Sequence, residues 1–196
     1  MTTTTSPATH RPDPRVDFVT VNLPDALLYD TPLLRCFHAT ITDAESGTEP
    51  PAQIGTVSGW LSHIPEPSTL HDEATAISVD AERLASTLTP LVDHLTALGE
   101  WADVVLLVDR MNLEPHARGH HLAGHILHRL AESLFYPDAT VLVVLEPEPQ
   151  RPEGGPLPAG PERDEAMQRL QGTYKEAGLQ AWEHTTIWWA THTAGA

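Results

Sequence analysis

The segment 102–145 constrains the fold more than any other part of the chain. It opens with ADVVLLV (102–108) and closes with ATVLVVL (139–145), two uninterrupted apolar runs, each about the length of a strand. A run without polar alternation suits a strand buried on both faces. After a short irregular stretch comes ARGHHLAGHILHRLAESL, where Leu122, Ile126, Leu130 and Leu134 recur at four-residue steps. That spacing draws one apolar stripe along a helix. Strand, helix and strand of these lengths make a βαβ unit, and its two strands are expected to be parallel.

The rest of the chain sets this unit in a mixed sheet. Residues 17–21 (DFVTV) read as a short strand, followed by a turn at Leu23 and Pro24. Residues 34–42 (LRCFHATIT) and 54–64 (IGTVSGWLSHI) are rich in β-branched and aromatic residues and read as an antiparallel pair. Residues 80–99 read as one helix: Asp80 suits its N-cap, Leu84, Leu88, Leu91, Leu95 and Leu98 form a stripe, and Gly99 suits its end. Pro90 requires a kink or break within it. A Pro- and Gly-rich linker over 146–163 leads to a helix over 162–177 that stops at Gly178, then to a last strand over 181–192. Adjacent residues of a regular strand face opposite ways, so Trp188 and Trp189 are expected to divide between the core and a groove. The expected class is α/β, with a central, mostly antiparallel sheet, one parallel βαβ unit and flanking helices. The Thr- and Pro-rich lead, 1–15, has little to bury and is expected to be loose, with 16–196 a single domain.

Charge narrows the function classes. The chain carries 27 Asp and Glu against 11 Lys and Arg, a formal net charge of −16. Nucleic-acid binding is not expected, because phosphate neutralisation needs clustered cations. No apolar run reaches the roughly 18 residues of a membrane span, and the opening MTTTTSPATHRPDPR lacks the apolar centre of a secretory signal. With the lone cysteine Cys36, neither an internal disulfide nor a multi-cysteine zinc site is open to the chain. A soluble cytoplasmic protein is the expectation.

Chemistry concentrates at the junction 113–124, LEPHARGHHLAG. Where a buried strand gives way to a helix, unpaired N–H groups and the helix dipole converge on one spot and favour an anion. Gly119 permits close backbone approach and Arg118 adds a fork of donors. The residues suit either a pyrophosphate cradle or an ordinary strand-to-helix turn.

This segment resembles the acetyl-CoA-binding motif of the GNAT superfamily of N-acetyltransferases, V-x-P-x-x-R-G-x-G-x-G/A. Leu113 stands at the Val, Pro115 at the Pro, Arg118 and Gly119 at the Arg-Gly, and Ala123 at the last small position; His121 replaces the middle glycine. A second segment, YKEAGL from Tyr174 to Leu179, is similar to the family's Y-x-x-x-G-F. The similarity is good over 102–192 and architectural over 16–64. The helix over 80–99 departs from it, since the family's paired helices lie between the first two strands.

The resemblance implies a GNAT-like sheet splayed at the cofactor site, with acetyl-CoA as co-substrate. The acetyl group would pass to a primary amine of a small molecule by direct attack on the thioester. Met111 and Leu113 are the implied backbone partners of the pantetheine arm, and an N–H near Leu113 the oxyanion donor. Arg118, Gly119, His120, His121, Leu122 and Ala123 are the implied pyrophosphate contacts. Tyr174 is the implied acid, with Asp109 and Glu146 as candidate bases. The alternative is a catalytically weak module of the same fold with a binding or regulatory role, motivated by His121.

His116, His120, His121, His125 and His128 crowd this region, and His121 and His125 are one helical turn apart. That spacing holds zinc only when a third ligand converges. With no HExxH and no nearby cysteine, a polar helix face is expected and no metal. The apolar last strand suits pairing across a homodimer. Acidic surplus lies in 66–100 and 137–165, whereas 109–130 carries three arginines against two carboxylates. A cationic amine is therefore the expected kind of acceptor.

Overall fold

The computed structural model describes residues 11–21, 33–62, 66–151 and 155–195. Seven strands among these residues form one open sheet: β1 (Pro14–Val21), β2 (Arg35–Asp43), β3 (Gln53–Ser62), β4 (Val104–Leu113), β5 (Thr140–Leu145), β6 (Gln180–Ala181) and β7 (Trp188–Thr193). Their order across the sheet is β1-β2-β3-β4-β5-β7-β6. Neighbours are antiparallel except β4 and β5, which are parallel. The expected α/β class, with a mostly antiparallel sheet and one βαβ unit, is the one found.

Both faces of the sheet are covered. Helices α4 (Ala123–Leu134) and α5 (Pro161–Glu176) pack on one face, over Val104, Leu106 and Val108 of β4 and Val141, Val143 and Leu145 of β5. Helices α1 (Pro67–Ile77), α2 (Val79–Ala85) and α3 (Leu88–Leu98) pack on the other, over Val105, Leu107, Leu142 and Val144. Alternate residues of each apolar run thus enter alternate cores, which is why neither run alternates with polar residues. Each fully buried Leu or Val side chain contributes about 1.5–3 kcal/mol of burial free energy.

Several expectations need correction. Residues 80–99 form two helices, broken at Ser86 and Thr87, where Thr87 Oγ1 donates to Leu84 O at 2.8 Å. Pro90 lies in the first turn of α3, and its ring disfavours a helical carbonyl four residues back, at Ser86. The cap of α2 is Ser78, whose Oγ accepts from Ala81 N at 3.0 Å, so Asp80 lies inside the first turn. Gly99 does end α3, at φ 76°. Helix α1 was not anticipated, because its buried stripe is only Leu70 and Ala74.

The run 181–192 is a hairpin, closed by Trp182 N donating to Ile187 O at 2.8 Å. Trp188 and Trp189 are 8% and 5% exposed, on opposite faces. Because helices cover both faces, both tryptophans are core and neither lines an open groove. Beyond the 102–108 run, β4 continues without a break to Leu113. α4 begins only at Ala123, after a 3-10 turn over Pro115–Ala117. At the front, β1 starts at Pro14, and Asp13 is tied to the sheet: its N donates to Asp43 Oδ1 at 3.0 Å and its O accepts from Ala44 N at 2.9 Å. Residues 1–10 of the lead, and the turn at Leu23 and Pro24, lie outside the described residues. No helix among the described residues is long and apolar enough to cross a membrane.

Candidate functional site

Strand β4 outruns its parallel neighbour. The two pair from Val104↔Val141 to Val108↔Leu145, after which β4 alone continues to Leu113. On its other side β4 stays paired with β3, but the register shifts: Ser58 faces Arg110 and Gly59 faces Val108. Asp109 is therefore the extra residue of a β-bulge, which bends its strand and re-aims the side chain. Gly59 is required there, since a Cβ would fall 2.0 Å from Leu107 O and 3.0 Å from Asp109 N.

Beyond the bulge, backbone alternation sets which groups stay open. Glu114 N donates to Ile54 O at 2.9 Å, so Asn112 also faces β3, and the N–H and C=O groups of Met111 and Leu113 face the free edge. Arg118 Nε donates to Leu113 O at 2.7 Å, which fixes the guanidinium across that edge.

Where β5 ends and β4 continues alone lies a cleft of about 40 Å³, lined by Asp109, Met111, Glu146, Glu148, Leu170 and Tyr174 among others. Glu148 lies in the segment after β5, whose described residues are tied by Arg151 N donating to Gly155 O and Leu157 N to Pro149 O, both 2.8 Å. Tyr174 comes from the last turn of α5, is 8% exposed, and lies with its ring 6.4 Å from that of Trp188. Burial pushes its phenol up to about 12. Gly178, at φ 86°, ends this helix and lets Leu179 N donate to Tyr174 O at 3.0 Å. The Tyr-to-Gly spacing thus has a local cause: the glycine stops the helix one turn after the tyrosine.

The two candidate bases differ. Asp109 has a side chain 22% exposed, and its nearest cation is Arg110, Nε to Oδ2 at 3.4 Å. Burial raises its carboxyl above the ordinary range; Arg110 and Arg83 oppose the shift, while Asp80 and Glu148 add to it. Glu146 is already engaged, by Arg83 Nε at 2.5 Å from Oε2 and by a hydrogen bond from Thr186 Oγ1 to Oε1. Arg83 reaches Glu146 from α2, on the far face, and with Asp80 acts electrostatically on Asp109; sequence reasoning missed both. The available signal was Arg83 itself, the one base among the seven acids of 66–100.

At the other end of the free edge lies the loop entering α4. Gly119 has φ 78° and His121 φ 55°, both left-handed, so His121 holds the backbone conformation that a glycine takes without strain. Its Nδ1 lies 2.5 Å from Glu176 Oε2 on an exposed surface. The backbone N–H groups of 119–124 meet no acceptor among the described residues, and α4 has no side-chain cap. His120, Leu122 and Ala123 enter through this backbone. Gly124 allows α4 and α5 to meet, because a Cβ there would lie 3.1 Å from that of Ala177. No group of three or more His, Cys, Asp or Glu among the described residues is arranged to hold a metal ion.

The sequence-identified residues thus lie along β4 and the loop that follows it, with Glu146 added from the end of β5 and Tyr174 from α5. This stretch has N–H groups at 119–124 without an acceptor among the described residues, strand-edge groups at Met111 and Leu113 of which Leu113 O is taken by Arg118, and a cleft containing Asp109, Glu146 and Tyr174. Such an arrangement suits an extended ligand with an anionic end and a chain that pairs like a strand. Comparison with family models, with curated proteins and with solved structures yields no match to this chain.

Proposed function

We propose that this chain is a GNAT-type N-acetyltransferase, moving an acetyl group from acetyl-CoA to a primary amine of a small molecule. One observation carries the reading. The free edge of β4 borders the cleft that holds the buried Tyr174, and the chain beyond it leads to 119–124, where the N–H groups meet no acceptor among the described residues. The residues fit the cofactor at each point: N–H groups and Arg118 for the pyrophosphate, and the backbone of Met111 and Leu113 for the amide-bearing pantetheine arm.

Acetyl-CoA, when bound, supplies the acetyl group as an activated thioester. Asp109 attracts the ammonium of the acceptor and takes its proton, directly or through water. Its environment favours this over Glu146, whose charge is spent on Arg83. The open N–H of Leu113 stabilises the negative charge that grows on the carbonyl oxygen during attack. Tyr174 holds its proton throughout the physiological range and gives it to the departing sulfur, and the second proton that the nitrogen sheds on becoming an amide restores the phenol. The burial that raises the phenol also raises the pKa of a thiolate in the same cleft, so donor and recipient move together. The carboxylates of Asp80 and Glu148, which act electrostatically on Asp109, make the acceptor side attractive to a cation.

The alternative of a weakly binding module rests on His121. A φ of 55° keeps the glycine-like backbone in place, which removes much of that motive. The test is release of free thiol from acetyl-CoA in a panel of primary amines, with wild type and Tyr174→Phe. Amine-dependent release that the substitution suppresses is expected. Release no faster than without protein, for every amine tried, overturns the proposal.

A further inference from the structure

A second groove lies between α4, the end of α5 and β7. It is lined by Arg11, His121, His125, His128, Glu176 and His192, together with Gly124 and Ala177. We infer that this groove is a phosphomonoester site whose strength is set by the protonation of its histidines. Resting on the acetyl-CoA reading above, we assign its ligand as the 3′-phosphate of the CoA nucleotide.

Three observations converge on an anion. Arg11 has no carboxylate partner among the described residues. His192 Nε2 is buried without a hydrogen-bond partner, so a ligand oxygen in the groove would satisfy it. The groove is also continuous with the cradle, since His121 and Gly124 belong to both. A nucleotide whose pyrophosphate rests on 119–124 therefore begins at the groove's edge.

The charges around the groove decide when it binds. From the loop before α4 comes His121; from α4, His125 and His128; from α5, Glu176; from β7, His192; and from the segment before β1, Arg11. Glu176 lies against His121 at 2.5 Å. Glu132 lies 3.5 Å from His128 but is also held by Arg129 at 3.1 Å. With the imidazoles neutral, Arg11 is offset by Glu176 and Glu132 by Arg129, leaving no surplus for a dianion. Each imidazole that protonates adds one positive charge and one donor. Burial, and then His128, lowers the pKa of His192 and so disfavours its charged form. Binding of the phosphate should strengthen as pH falls.

Calorimetry separates this site from the donor reading. CoA, dephospho-CoA and inorganic phosphate are titrated at pH 6.0 and 8.0 into wild type and the His125→Ala/His128→Ala variant, an exposed and a half-buried position on α4. At pH 6.0, CoA should bind wild type about tenfold more tightly than dephospho-CoA, with the ratio near one at pH 8.0. The variant should lose that preference at pH 6.0 and keep its affinity for dephospho-CoA. Equal binding of the two nucleotides, with histidine-dependent binding of phosphate alone, keeps the anion site and overturns its assignment to CoA. Equal binding with no histidine-dependent phosphate binding overturns the site and leaves the donor reading intact. Binding of neither nucleotide overturns both.

Discussion

Asp109 and Tyr174 meet at one cleft from unrelated elements, the carboxylate from a bulge in β4 and the phenol from the last turn of α5. Burial shifts both in the same direction, toward the protonated form. A base whose affinity for a proton is increased and an acid that holds its proton firmly are complementary for moving a proton from an amine to a sulfur.

Replacing Tyr174 by Phe keeps the ring against Trp188 and removes only the hydroxyl. Turnover should fall about 100-fold or more, the usual scale of a lost general acid. Affinity for acetyl-CoA, measured by calorimetry, should stay within about twofold, since uniform binding is not the hydroxyl's role. Because the phenol is pushed up to about 12, wild-type turnover should show no loss from its ionisation up to about pH 10.

Asp109→Asn should reduce turnover yet raise thermal stability at pH 8. The carboxyl's folded pKa lies above its unfolded one, so the stability it contributes is present at low pH. That contribution is lost as pH rises through the folded value, above which the partly buried charge opposes folding. Melting temperatures of the two proteins should therefore converge toward pH 4 and separate toward pH 8, with the variant higher.

His121 makes a sharper test of backbone geometry. His121→Gly removes an exposed ion pair but relieves the left-handed φ, so stability should change by less than about 1 kcal/mol. His121→Val should cost about 1–2 kcal/mol more, because a β-branched residue at φ 55° is a genuine outlier. Denaturant midpoints of the two variants at unchanged m-value measure the difference.

Much of the frame was legible before any coordinates. Val104 to Val108 and Val141 to Leu145 read as doubly buried strands because an unbroken apolar run has only that use in a mixed sheet. The stripe on α4 and the interval from Tyr174 to Gly178 are local signals, and both survive. What the sequence hid depends on partners far along the chain. The bulge at Asp109 is set by Gly59 on another strand, and the neutralisation of Glu146 by Arg83 comes from a helix on the opposite face. One of Trp188 and Trp189 looked free to line a groove because α1, which with α2 and α3 covers the face of Trp189, has too short an apolar stripe to show in the sequence.

Gly59→Ala tests whether the bulge depends on that close approach. A methyl group placed 2.0 Å from Leu107 O forces β3 and β4 apart. The loss should be about 3 kcal/mol, measured by urea unfolding, at the large end for a single substitution. Any folded fraction should also show reduced turnover, because Asp109 moves with the bulge.

The most direct measurement is a calorimetric titration of acetyl-CoA into the wild-type protein. The account predicts one molecule bound per chain with a dissociation constant in the micromolar range, on the order of −8 kcal/mol. It also predicts that Arg118→Ala weakens this binding about tenfold. No saturable heat at millimolar acetyl-CoA would contradict it.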